Sequence, residues 1–108
     1  MLTFSDNAIV WLYKEKNTFE IWKITDSVRP DKDQFSFDCK WAVDDPSTYT
    51  IKGALHEDGT FTGKIAKDGS ECGRANGQCY TYNASIALAG KWHEGADIHD
   101  FVARFTHR

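Results

Sequence analysis

Even-numbered positions from Tyr80 to Trp92 read Tyr, Tyr, Ala, Ile, Leu, Gly and Trp, while the odd positions between them read Thr, Asn, Ser, Ala, Ala and Lys. Alternation with period 2 over that length predicts a strand that is strongly bent or crosses a barrel. Shorter runs repeat the pattern, and together they predict seven strands over roughly 8–14, 18–25, 34–43, 48–56, 60–67, 79–93 and 98–106. Residues 2–4 could supply an eighth. No helical stripe of useful length, repeat or linker interrupts the pattern, so residues 1–108 read as a single all-β domain.

Parity along the strands constrains the hairpins. Phe35, Phe37, Cys39, Trp41 and Val43 share one face of the third strand. Tyr49, Ile51, Gly53 and Leu55 share a face of the fourth, and Phe61, Gly63 and Ile65 a face of the fifth. Opposed residues of an antiparallel pair lie on one face, so these odd-numbered sets require loops of odd length. Glu57-Asp58-Gly59 fits a three-residue loop with Gly59 left-handed, and Glu15-Lys16-Asn17 and Asp45-Pro46-Ser47 fit the same length. The run to Trp92 is inward at even positions and Phe101, Ala103 and Phe105 at odd ones, so the connection through Gly95-Ala96-Asp97 must be even, with four residues plausible. The long connections are then 26–33 and 68–78.

The first hairpin departs from clean alternation. Ile9, Trp11 and Tyr13 take one face and Val10 and Leu12 the other, while Phe19 and Ile21 oppose Trp22 and Ile24. Two apolar faces require either cover from the chain itself, for example by Leu2 and Phe4, or a partner surface. Val10, Leu12, Trp22 and Ile24 are the candidate interaction residues, with Arg74 at the tip of the 68–78 loop as a second contact point.

Composition narrows the function classes. Fifteen aromatics (Trp 4, Tyr 4, Phe 7) supply a bulky interior. Lys and Arg are scattered along the chain and the net charge is −3, which argues against nucleic acid or an anionic membrane as partner. The first residues have neither a basic start nor an apolar core, so a cytoplasmic location is expected, or secretion if a signal peptide preceded position 1. Three cysteines fit a reducing compartment. A bridge between Cys72 and Cys79 across a Gly/Asn loop is the alternative, with Cys39 a buried free thiol. Asn83-Ala84-Ser85 is a glycosylation sequon in form, placed mid-strand.

Catalytic and metal chemistry find little support in the motifs. His93, Glu94, Asp97, His99 and Asp100 crowd the last turn, but their spacing matches no metal motif and reads as a solvated turn. No serine sits in a nucleophile elbow, and Cys72 has no histidine close in sequence. Gly69, Gly73 and Gly77 lie between strands, whereas a phosphate cradle needs a helix after the loop. No cofactor is implied.

Glycines at inward positions are more informative. Gly53, Gly63 and Gly90 either make barrel corners or, beside Trp41, Tyr49, Tyr80, Tyr82 and Trp92, leave room for a ligand. In strand count, hairpin connectivity and interior aromatics this arrangement is similar to the lipocalin and avidin type of barrel. The similarity is one of architecture, and no functional residue is carried over from it. The expected fold is a single antiparallel meander of seven or eight strands, closed or nearly closed as a barrel, with a two-sheet sandwich as the alternative. The expected function is non-enzymatic binding of a small aromatic or apolar ligand in the interior by Trp41, Tyr49, Tyr82 and Trp92 around Gly53 and Gly63. The alternative is a protein-interaction module, an inhibitor or oligomeric adaptor, acting as a homodimer or on a protein target. An enzyme ranks behind both.

Overall fold

The computed structural model describes residues 7–13, 18–31, 33–41, 45–82 and 85–106, with the side chains of residues 18, 28–31 and 82 outside that description. Eight strands run in chain order: β1 (Ala8–Tyr13), β2 (Thr18–Asp31), β3 (Gln34–Lys40), β4 (Tyr49–Leu55), β5 (Thr60–Lys67), β6 (Ser70–Tyr82), β7 (Ser85–Glu94) and β8 (Asp97–Thr106). Each pairs antiparallel with the next, and β1 also pairs with β8, so the meander closes into a barrel and the sandwich is excluded. Closure removes both exposed sheet edges.

The parity argument holds through the middle of the chain. Phe37 pairs with Ile51, and Ile51 with Ile65, so odd-numbered residues of β3, β4 and β5 face inward together. Between β4 and β5 the His56 N–H donates to the Thr60 carbonyl at 2.8 Å and Gly59 has φ of +87°, as a three-residue loop with a left-handed glycine requires. The β7–β8 connection is even but tighter than four residues, because Glu94 pairs with Asp97. Two expected three-residue loops are corrected: Tyr13 pairs with Thr18, which leaves four residues between β1 and β2, and Cys39 pairs with Tyr49, so the β3–β4 connection is longer than Asp45-Pro46-Ser47. Residues 14–17 and 42–44, and any strand at 2–4, lie outside the described residues.

Three stretches of the sequence reading are corrected. The run 79–93 is two strands, since Tyr82 pairs with Ser85, and residues 83 and 84, with the sequon asparagine, lie outside the described residues. An even-length turn lets alternation continue unbroken while moving even positions from outside to inside: Tyr80 is exposed, whereas Ile86, Leu88 and Trp92 are buried. The segment 68–78 is also strand rather than loop. Asp68 and Gly69 both have positive φ (50° and 87°) and join β5 to β6 as a two-residue turn of the primed type. A bulge follows, where Ile65 pairs with Gly73 but Ala66 with Glu71, and this extra residue returns odd positions of β6 to the interior. Similarly, β2 continues through 26–31 past a register shift between Ile24 and Asp26.

Two ring layers fill the barrel. Towards one end Phe35, Phe37, Phe61 and Phe105 pack with centroids 5.1–6.2 Å apart. Towards the other lie Trp11, Trp22, Tyr49 and Trp92, with Phe101 bridging the layers 6.1 Å from Phe61 and 5.9 Å from Trp92. Side chains filling an eight-strand interior are the expected solution at this barrel size.

Candidate functional site

The tryptophan end of the barrel holds the partly exposed rings of the interior. It carries the β1–β2, β3–β4, β5–β6 and β7–β8 connections, and inward alternation brings Tyr13, Glu20, Trp22, Tyr49, Cys72, Glu94 and His99 to its rim, all partly exposed. Trp11 and Trp92 lie deeper, each 2% exposed. Their rings meet at 4.6 Å and 84°, and Trp11 meets Trp22 at 5.2 Å and 72°. These edge-to-face contacts direct ring hydrogens at neighbouring ring faces, the favoured aromatic geometry. His99 stacks edge-on against Tyr13 and Trp11 at 5.3 and 5.8 Å. Tyr49 lies 5.2 Å from Trp22, and the Lys67 ammonium sits 5.7 Å from the centre of its ring.

The three indoles of this layer differ in how their N–H groups are used. Trp22 Nε1 donates to Glu20 Oε1, and Trp92 Nε1 donates to Glu94 at 3.1 Å. Trp11 Nε1 is buried and has no partner among the described residues. A buried donor left unpaired costs about 1–3 kcal/mol, so it marks a place where an acceptor is owed.

Burial keeps the phenol and thiol groups of this end protonated at neutral pH. Burial, reinforced by Glu20, raises the Tyr13 phenol above its ordinary value. Burial raises Tyr49 too, with Glu94 adding to the shift and Lys67 opposing it. The Cys72 thiol is pushed up by burial and by Glu94, and Cys39 by deep burial and by Asp38. Both thiols therefore stay protonated, the poorer nucleophilic form. A Cys72–Cys79 bridge is ruled out by the strand: neither residue forms a disulfide, and seven residues of extended chain separate their Cα atoms by about 20 Å, far beyond disulfide reach.

The residues expected to line a ligand site separate into groups. Trp41, Tyr49 and Trp92 come to the tryptophan end, but Trp41 lies one residue beyond β3 and is 60% exposed rather than interior. The Tyr82 backbone stands at the opposite end, where β6 meets β7. Gly53 and Gly63 pair in the barrel wall, and a Cβ on Gly53 would meet the Thr62 carbonyl at 2.1 Å, so Gly53 allows two strands to approach rather than opening a cavity.

The expected interaction face also divides. Tyr13 pairs with Thr18 and Ile9 with Trp22, so even positions of β2 point inward. Trp22 and Ile24 are thus interior, on the opposite side of the wall from Val10 and Leu12. Phe19 and Ile21 take the outer places beside Val10 and Leu12. Arg74 projects from the outer face of β6 rather than from a loop tip. The acidic and histidine cluster splits across the wall, with Glu94 and His99 inside and His93 paired with Ile98 outside, and no metal-binding group forms among the described residues.

Trp11, Tyr13, Glu20, Glu94 and His99 were not singled out as ligand-site residues from sequence. Their odd positions on β1 and β8 carried the signal for Trp11, Tyr13 and His99; Glu20 and Glu94 look like ordinary surface acids until the register is known. Comparison with known proteins finds no matching family model, curated protein or solved structure.

Proposed function

We propose that the barrel is a binding module that takes a small, flat, uncharged aromatic ligand at its tryptophan end. The unpaired buried N–H of Trp11 carries the reading, because the neighbouring indoles Trp22 and Trp92 both have their acceptors. Half-exposed Trp22, Tyr49 and Tyr13 offer ring faces and edges to a planar guest, and the guest would supply the missing acceptor. The site sits at the mouth, above the packed phenylalanine layer, rather than in a hollow interior. Quinoline, planar with one nitrogen acceptor, is a direct probe. In a ¹H–¹⁵N titration it should move the Trp11 and Trp22 indole signals saturably. Trp22→Ala should weaken that binding roughly tenfold, the scale of one lost aromatic contact. Indole signals that stay still at millimolar quinoline would sink the proposal.

A second reading, association through the outer face of β1 and β2, draws support from Phe19 and Ile21, 55% and 54% exposed beside Leu12 at 38%. Native mass spectrometry at two concentrations checks it. A dimer that becomes monomeric in the Phe19→Ser/Ile21→Ser double variant is expected. Wild-type protein that stays monomeric and captures no partner would discard this reading.

A further inference from the structure

Lys52, Lys64 and Arg74 are far apart in the chain, yet they stand side by side on the outer wall. Lys52 pairs directly with Lys64, and Lys64 with Arg74, so three cations occupy one cross-strand row over β4, β5 and β6. All three are exposed, and none forms an ion pair among the described residues. Like charges directly opposite in an antiparallel pair are destabilising. Here two such pairs adjoin on a chain whose net charge is −3, so the row is not a consequence of a basic composition. In the next row towards the β3–β4 connection, the Asp38 carboxylate is held by the Thr50 hydroxyl at 2.7 Å.

The row borders a depression of about 400 Å³. Its floor is nearly bare backbone at Gly53, Gly63 and Ala54, and its walls are Gln34, Thr62, Lys52, Lys64 and Arg74. The lining supplies cations, an amide and a hydroxyl, and no carboxylate. The volume is that of a small-molecule cleft. Successive cations on adjacent strands are spaced at about 5 Å, as cross-strand neighbours are, which suits two linked anionic groups better than one. Arg74 contributes a planar fork for paired oxygens, and the lysines contribute mobile point charges.

We propose that this outer depression binds a small ligand carrying two or more linked phosphate groups. The site is independent of the aromatic mouth, and either could fail without the other. Inorganic pyrophosphate is the probe, titrated calorimetrically at low ionic strength, with orthophosphate beside it. Pyrophosphate should bind saturably and more tightly than orthophosphate, and raising the salt should weaken it. Lys64→Gln and Arg74→Gln should each weaken it about tenfold, the scale of one lost charge-assisted contact. Lys91→Gln, which removes a cation already paired with Asp100, should leave it unchanged. Lys64→Gln should also melt at a higher temperature than the wild type, because it removes both like-charge pairs. Pyrophosphate heats matched by an equal ionic strength of sodium chloride would overturn the proposal. So would a Lys64→Gln protein that is folded and binds pyrophosphate as the wild type does.

Discussion

Replacing Gly90 with alanine should destabilise the barrel by at least about 3 kcal/mol, the upper range for forced overpacking. A Cβ there would lie 2.0 Å from the Asn76 carbonyl oxygen and 2.7 Å from the Gly77 Cα. Those atoms belong to the paired strand, so no side chain can rotate away, and β6 and β7 would have to separate where Gly77 pairs with Gly90. Gly77 has the reciprocal constraint, 2.1 Å from the Ala89 oxygen. For a domain with about 5–15 kcal/mol in hand, that loss removes about a fifth or more of the stability and should lower the denaturation midpoint clearly. Gly63→Ala is the matched control: its Cβ would come no closer than 3.3 Å, to Ile51 and to the Lys52 oxygen. Urea denaturation of the three proteins decides the matter. A Gly90→Ala midpoint within error of wild type would mean that the strands do not approach as described.

Trp92→Ala should cost about 3–5 kcal/mol, as large-to-small changes of buried aromatics do. Trp92 packs 4.6 Å from Trp11 and 6.0 Å from Tyr49 within its layer, and 5.9 Å from the bridging Phe101. Opposite it across the β6–β7 ladder stands Ala75, too small to close the gap. Removing the indole also leaves Glu94 without the donor it accepts from. Near-ultraviolet circular dichroism should lose intensity along with the fall in denaturation midpoint. Trp41→Ala, at a site 60% exposed, should change the unfolding free energy by less than about 0.5 kcal/mol. Equal effects of the two substitutions would contradict the placement of these rings.

Particular residues show why part of the site was legible and part was not. Tyr49 and Trp92 could be found because strict alternation gave their face and the local hairpin gave their register. Trp41 was misplaced because the alternation carried it past the residue where β3 ends. Tyr80 was misplaced because a tyrosine suits an outer strand face as well as an inner one, and periodicity cannot mark a turn of even length. The strand from Ser70 was read as a loop because Gly73, Asn76 and Gly77 have poor strand propensity. In the barrel the small inward residues of this strand face bulky partners, Ala75 opposite Trp92 and Gly77 opposite Phe61, and packing overrides propensity.

The sequence by itself determined the all-β class, the antiparallel meander, the three-residue turn at Gly59 and the inward set Phe35, Phe37, Cys39, Ile51, Phe61, Ile65, Trp92 and Phe105. These follow from side-chain alternation and turn chemistry, which act over a few residues. Only the tertiary structure decided the rest. Closure of β1 on β8, the inward placement of Trp22, the gathering of Trp11, Tyr49 and Trp92 at one end, and the row of Lys52, Lys64 and Arg74 each depend on which residue stands opposite which across the wall. That register accumulates around the whole barrel, with bulges near Thr25 and Cys72 each shifting it by one residue. A shift of one residue turns every later side chain through the wall, so no local pattern can specify it.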